Sequence, residues 1–164
     1  MSEDLAQQFL QLLKENQQRI NRICSIYANN KEDQKDLIQE VVLNIWKSLP
    51  SYQQNASINT WVYRIILNVC LKKTYRKTKS TISLDNLTFE PSIEVTQSSP
   101  KLEALRSCIA KLAFSDRSII VLYLEELSYR EIGDLVGISE NYVAVKLKRI
   151  KKKLANCLET VLNE

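Results

Sequence analysis

Apolar side chains recur along most of this chain at the three-to-four-residue spacing of helices. Leu5, Phe9, Leu12, Leu13, Ile20, Ile23 and Tyr27 outline a first amphipathic helix, with a bend expected around Asn16. Leu37, Ile38, Val41, Val42, Ile45, Trp46 and Leu49 give the cleanest stripe, with Asp36, Gln39, Glu40 and Asn44 on other faces. Asn30 is the expected N-cap of this second helix, Asp33 sits in its first turn, and Pro50 ends it. Residues 51–59 are polar and read as a loop. A third helix is expected from about Thr60, with Thr60 as its cap and Trp61, Ile65 and Val69 on its buried side. Three helices with matching stripes can bury one small core.

The pattern stops at Thr78. The stretch TKSTISLDNLTFEPSIEVTQSSP is rich in Ser and Thr and has no sustained period. It reads as a linker, with local order expected around Leu84, Leu87 and Phe89. A connection this long argues for two domains, placed at 1–77 and 101–164 with the linker at 78–100. Leu102, Leu105, Ile109 and Leu112 then restart a helix. Ser115 is the expected cap of the next, which carries the apolar run Ile119 to Leu124. By pattern alone that run fits a buried strand, but no partner strand is evident, so a helix is preferred. The fold class is all-α: two small helical domains on a flexible linker, the second containing a helix-turn-helix.

That motif lies at residues 128–154, SYREIGDLVGISENYVAVKLKRIKKKL. Ser128 and Glu131 form a capping box. Ile132, Leu135 and Val136 give a short helix its apolar face, and Gly137 suits the left-handed residue that ends a helix. Ser139 caps a new helix, whose buried stripe is Val143, Leu147, Ile150 and Leu154. In such a pair the first helix braces the second, whose exposed face enters the DNA major groove. The exposed positions are Glu140, Asn141, Tyr142, Ala144, Val145, Lys148, Arg149 and Lys152. Asn, Lys and Arg can read base edges or hold phosphates; Ala and Val can touch a thymine methyl. A plain helical hairpin is the duller alternative.

Charge favours the DNA reading. The net charge of the 164 residues is only +4, but the basic side chains cluster. Lys72, Lys73, Arg76, Lys77 and Lys79 form one run; Lys146, Lys148, Arg149, Lys151, Lys152 and Lys153 form another. Each ends a predicted helix, and clustered cations displace the counterions of a phosphate backbone. Two glycines and three prolines are too few for an all-β fold. The absence of histidine removes the common zinc-finger pattern and the usual hydrolytic base. No phosphate-binding glycine loop or metal cluster is visible, so neither an enzyme nor a cofactor or small-molecule substrate is expected. Cys24, Cys70, Cys108 and Cys157 each fall within a helical apolar pattern and read as small buried hydrophobes; a redox role has no support in the sequence. Neither a signal segment nor a membrane span is evident, so a soluble cytoplasmic protein is expected.

At this point the chain resembles the extracytoplasmic-function sigma factors, the smallest class of bacterial RNA polymerase sigma subunits. DLIQEVVLNIWKSL (Asp36 to Leu49), INTWVYRIILNVCLKK (Ile58 to Lys73) and DRSIIVLYLEELSYREIGDLVGIS are each similar to a family motif, in the family's order. The helix ENYVAVKLKRIKKKL fits its recognition-helix frame. The resemblance implies that Asp36, Gln39, Glu40 and Asn44 dock on the clamp helices of the polymerase β′ subunit. It implies that the loop from Ser51 to Ser57, with Gln53, Gln54 and Asn55, captures an unstacked base of the −10 promoter element. Asn68, Lys72, Lys73 and Arg76 would hold the neighbouring strand. The second domain, with Glu140, Asn141, Tyr142, Ala144, Val145, Lys146, Lys148, Arg149 and Lys152, would read the −35 element and touch the β flap. An anti-sigma partner is also implied.

Each implied role has a rival. Trp46 and Trp61 read better as core anchors than as stacking platforms. Asp36, Gln39 and Glu40 also fit a solvated face, and Asn68 fits helix packing. Glu126 stands where the family often has a glycine; Ala144 and Val145 replace polar or basic residues and imply more apolar readout. A stand-alone DNA-binding regulator would dimerise on a palindrome and leaves the acidic helix unexplained. A protein-binding adaptor leaves the basic run Lys146 to Lys153 unexplained.

Overall fold

A computed structural model describes residues 3–79 and 99–163, with the side chains of 75–79 excepted. The chain divides into two compact units, Met1–Ser92 and Ile93–Glu164. Every described regular element is helical. None of the described helices is long and apolar enough to cross a membrane.

In the first unit, α1 (Glu3–Tyr27), α2 (Lys31–Ser48) and α3 (Ile58–Lys79) pack on one another. The α2 stripe sets the centre: Leu37, Val41 and Ile45 are buried, facing Ile20, Ile23, Val62 and Ile66 of the same core. Burying an Ile or Leu side chain stabilises by roughly 1.5–3 kcal/mol, so this stripe outweighs any local helix preference. Asn30 caps α2 as expected, its side chain accepting from the Asp33 amide at 2.8 Å. Asp33 reciprocates by accepting from the Asn29 amide at 2.8 Å and also pairs with Lys73 of α3. One carboxylate therefore closes the α2 N-terminus and joins it to a neighbour.

Two expectations fail here. Asn16 does not bend α1, which runs unbroken from Glu3 to Tyr27. It is fully buried, its amide donating to the Leu12 carbonyl at 2.9 Å and its oxygen accepting from Arg19. Its polar groups are satisfied within the helix, which removes the reason to break it. The cap of α3 is Ser57, not Thr60. The Ser57 hydroxyl accepts from the Thr60 amide at 3.2 Å, and the two hydroxyls share a hydrogen bond at 2.8 Å. Both residues are good caps; the serine three positions earlier adds nearly a turn of helix.

In the second unit, α4 (Pro100–Ala110), α5 (Phe114–Leu124) and the short α6 (Tyr129–Val136) gather on the long α7 (Glu140–Leu162). Pro100 opens α4 behind a Ser99 cap. The apolar run Ile119 to Leu122 is buried in a helix. Ser115 does not cap α5: the cap position is Ala113, without a side-chain bond. Arg117 instead donates to the carbonyls of Ala110 (2.7 Å) and Leu112 (3.0 Å), which closes the turn between α4 and α5 from the acceptor side. Helix α3 extends to Lys79 and α4 begins at Pro100. The rest of the expected linker, with Leu84, Leu87 and Phe89, lies outside the described residues.

Candidate nucleic-acid interface

The turn between α6 and α7 is built by four residues. Ser128 caps α6, accepting from the Glu131 amide at 3.1 Å. Only this serine half of the expected capping box forms among the described residues. Gly137 ends α6 with φ 80°, where an L side chain is strained. Ser139 then caps α7 by accepting from the Tyr142 amide at 3.1 Å. The fourth residue, Gly133, has no counterpart in the sequence reading. A Cβ there would sit 2.6 Å from the Ile138 carbonyl oxygen, so α6 meets the turn at backbone distance. The Ile138 amide donates to the Gly133 carbonyl at 3.0 Å across this approach.

Helix α7 buries Val143, Leu147, Ile150 and Leu154 on one face. Glu140, Asn141, Tyr142, Ala144, Val145, Lys148, Arg149 and Lys152 all lie on the exposed side. Two of these are large apolar groups turned to solvent: Tyr142 at 43% and Val145 at 47% exposure.

The basic run divides into two sets. Lys146 pairs with Asp116 of α5 at 3.1 Å, and Lys153 approaches the same carboxylate at 3.5 Å. Lys151 donates to the Tyr123 hydroxyl at 3.0 Å, with its ammonium 4.2 Å from that ring's centre. The bond to Tyr123 raises the Lys151 pKa above the ordinary lysine value, with desolvation opposing. Lys148, Arg149 and Lys152 project away, exposed. Lys146, expected on the DNA side, is thus drawn to α5, because Asp116 is a nearly buried carboxylate that needs a counter-charge. Nothing in the α7 sequence by itself distinguishes the two sets; the signal is an acidic residue a helix away.

The first unit offers a loop and a helix face. Gln53, Gln54 and Asn55 are exposed at the tip of the loop, and Gln54 has φ 58°. The loop is closed beneath them. The Tyr52 hydroxyl donates to the Ala56 carbonyl, and its ring lies 5.1 Å from that of Trp61 on α3. Trp61 is half-buried beside the loop, and Trp46 packs edge-on against Phe9 at 4.9 Å. Both tryptophans make ring contacts inside the unit.

On α3, Asn68 and Lys72 are exposed one turn apart. Arg64, one turn earlier, shares their exposed face and was overlooked; its i, i+4 spacing to Asn68 was the available signal. Lys73 is turned inward to Asp33. The Arg76 side chain lies outside the described residues. On α2, Asp36 and Gln39 are exposed, whereas Glu40 and Asn44 are half-buried and the Asn44 amide donates to the Glu40 carbonyl at 2.7 Å.

Comparison with known proteins places both units. Residues 12–81 match Sigma-70 region 2, and residues 102–154 match Sigma-70, region 4. RNA polymerase sigma factor SigZ of Bacillus subtilis is 30% identical over 159 residues, spanning 96% of this chain and 86% of that protein. ECF RNA polymerase sigma factor SigM of Mycobacterium tuberculosis is 23% identical, spanning 92% of this chain and 76% of that protein. Among solved structures, the sigma factor RpoE bound to the anti-sigma factor NepR from Bartonella quintana superposes with a TM-score of 0.75 at 17% identity. That match covers 96% of this chain and 98% of RpoE. CnrH, in complex with the cytosolic domain of CnrY, gives 0.69 at 20% identity, covering 93% and 88%. With a region 4 match over a helix-turn-helix braced by a glycine-tight turn, a region 2 match before it and relatives spanning nearly its whole length, the chain belongs to the extracytoplasmic-function sigma factors, which direct RNA polymerase to promoters.

Proposed function

We propose that the exposed face of α7 reads the −35 element and that the Ser51 to Ser57 loop with α3 handles the −10 element. The observation that carries this reading is the sorting of cations on α7. Lys148, Arg149 and Lys152 face solvent together with Asn141, Tyr142 and Val145, while Lys146 is drawn to Asp116 and the ammonium groups of the exposed Lys151 and Lys153 are engaged by Tyr123 and Asp116 of α5. Base-edge donors, a phosphate-binding set and apolar groups for a thymine methyl then share one surface. Glu140, Asn141 and Tyr142 stand at the N-terminal end, which enters the groove first in a helix-turn-helix.

In the first unit, Gln53, Gln54 and Asn55 supply amides at a loop tip, suited to the Watson–Crick edge of an extruded base. Arg64, Asn68 and Lys72 form a stripe that would carry the adjoining strand, with Arg76 continuing its spacing. Lys73, being paired with Asp33, would brace that helix rather than hold DNA. Asp36, Gln39 and Glu40 would dock on the β′ clamp helices of core polymerase, and the second unit on the β flap. The domain limits would be 1–77 and 101–164, with 78–100 as the tether. Sigma factors are not enzymes, so melting would draw only on DNA and polymerase contacts. RpoE was solved with the anti-sigma factor NepR bound, which supports an anti-sigma partner here as well. The site of action would be the cytoplasm, where the polymerase works.

Run-off transcription with core polymerase on a promoter library tests the assignment. Lys148→Ala with Arg149→Ala is expected to abolish promoter-specific transcripts and leave polymerase binding intact. Unchanged transcripts from the double variant would move the −35 contacts elsewhere.

A further inference from the structure

The second unit contains a covalent link that promoter reading does not use. Cys108 of α4 and Cys157 of α7 form a disulfide, with Cα atoms 5.9 Å apart and a sequence separation of 49. The remaining cysteines, Cys24 and Cys70, are buried in the first unit and not disulfide-bonded. A cysteine pair held at bonding distance by two packed helices is set up for intramolecular closure, because the partner thiol is always present. The two cysteines differ in access: Cys108 is 1% exposed, whereas Cys157 is half-buried. Attack from solution therefore meets the Cys157 sulfur first. The pair also lies beyond Lys152, toward the end of α7 remote from Glu140, so its chemistry leaves the recognition face unblocked.

Compartment decides whether such a bond is a fixed staple or a switch. In a reducing cytoplasm, disulfides are usually transient and redox-responsive. We infer that Cys108 and Cys157 form a reversible thiol–disulfide site whose exchange partner is a small disulfide of the glutathione class. The inference rests on the sigma-factor reading only for the compartment. In the oxidising direction the Cys157 thiolate attacks one sulfur of glutathione disulfide, and that S–S bond breaks. One glutathione thiolate leaves, and a mixed disulfide remains on Cys157. The Cys108 thiolate then attacks the Cys157 sulfur and expels the second glutathione. Two protein thiols lose two electrons and two protons, and glutathione disulfide gains them as two thiols. Oxidation ties the distal part of α7 to α4; reduction leaves the two helices joined by packing alone.

The test equilibrates the full-length protein in glutathione buffers, quenches with an alkylating agent and counts adducts by mass after unfolding. Of the four cysteines, all are expected to alkylate at the reducing end and only Cys24 and Cys70 at the oxidising end, reversibly. Thermal melting of the second unit should fall by roughly 10 °C or more on reduction. Cys157→Ser should melt like the reduced protein and ignore the buffer. A pair that stays reduced in excess glutathione disulfide, or stays bonded in excess reduced glutathione, would overturn the inference. So would equal melting in the two states. The adduct count needs only wild-type protein and no promoter, so failure of the promoter assignment leaves this result readable.

Discussion

The two candidate DNA surfaces are built by opposite means. In the second unit the surface is one face of a long helix, and its residues are placed by helical periodicity. In the first unit the tip residues Gln53 to Asn55 sit on a loop, and their placement depends on tertiary closure by Tyr52 against Ala56 and Trp61. The helix presents a fixed array of groups suited to an intact groove. The loop presents adaptable amides suited to one displaced base. The helical surface depends on how closely α6 meets the turn before α7, whereas the loop depends on one aromatic pair and one hydrogen bond.

Substitutions that strike only one surface sharpen this contrast. The largest effect is expected from Gly133→Ala, where the new methyl meets the Ile138 carbonyl at 2.6 Å. Backbone must move, at about 1–3 kcal/mol, which lowers the melting point of the second unit by several degrees and weakens −35 duplex binding. Binding of forked −10 DNA by the same variant should stay unchanged; a matching loss there would refute the separation. Tyr52→Ala is the mirror experiment. It removes a ring pair and a hydrogen bond together worth about 1–2 kcal/mol, so the fold survives. Open-complex formation should drop by about tenfold while −35 binding holds, as followed by permanganate reactivity of the melted strand.

Asp116→Asn probes charge alone. With the carboxylate neutralised, Lys146 is released toward the DNA. The plot of log affinity against log salt for a −35 duplex should then steepen by about 0.9 for each phosphate gained. A role confined to folding would shift affinity without altering that slope. The smallest change expected is a gain. Glu126 adopts φ 67°, in the region where an L side chain is strained. Glu126→Gly should relieve that strain, partly offset by the entropy of glycine, for a net stabilisation of roughly 0.5–1 kcal/mol in calorimetry.

The same division governs what the sequence alone reveals. Stripes such as Leu37, Val41 and Ile45, or Val143, Leu147 and Ile150, repeat with the helix and could be read directly. So could Gly137 and Ser139, because the caps of α6 and α7 are local chemistry. The misplaced caps at Thr60 and Ser115 failed where two eligible residues competed or where the helix began two residues earlier, at an alanine with no capping side chain. Gly133 was missed because its constraint is a through-space approach to Ile138. Lys146 and Lys73 were grouped with free cations because Asp116 and Asp33 lie 30 and 40 residues away. The disulfide was hidden for the same reason: its partners are 49 residues apart and each fits an apolar stripe. Glu126 is the converse case. Its departure from the family's glycine was visible in sequence, and its backbone angle explains why glycine suits that position.

Helix α7 continues well past its last buried leucine at Leu154, ending at Leu162. Its 23 residues make a rod about 35 Å long, at 1.5 Å per residue. The groups proposed to contact DNA occupy one end, and Leu162 is 47% exposed at the other. The distal end therefore works as a pointer. A fluorophore or spin label at Leu162 would swing with the recognition face, and its angle would report how the helix lies in the groove without touching any residue that reads the promoter.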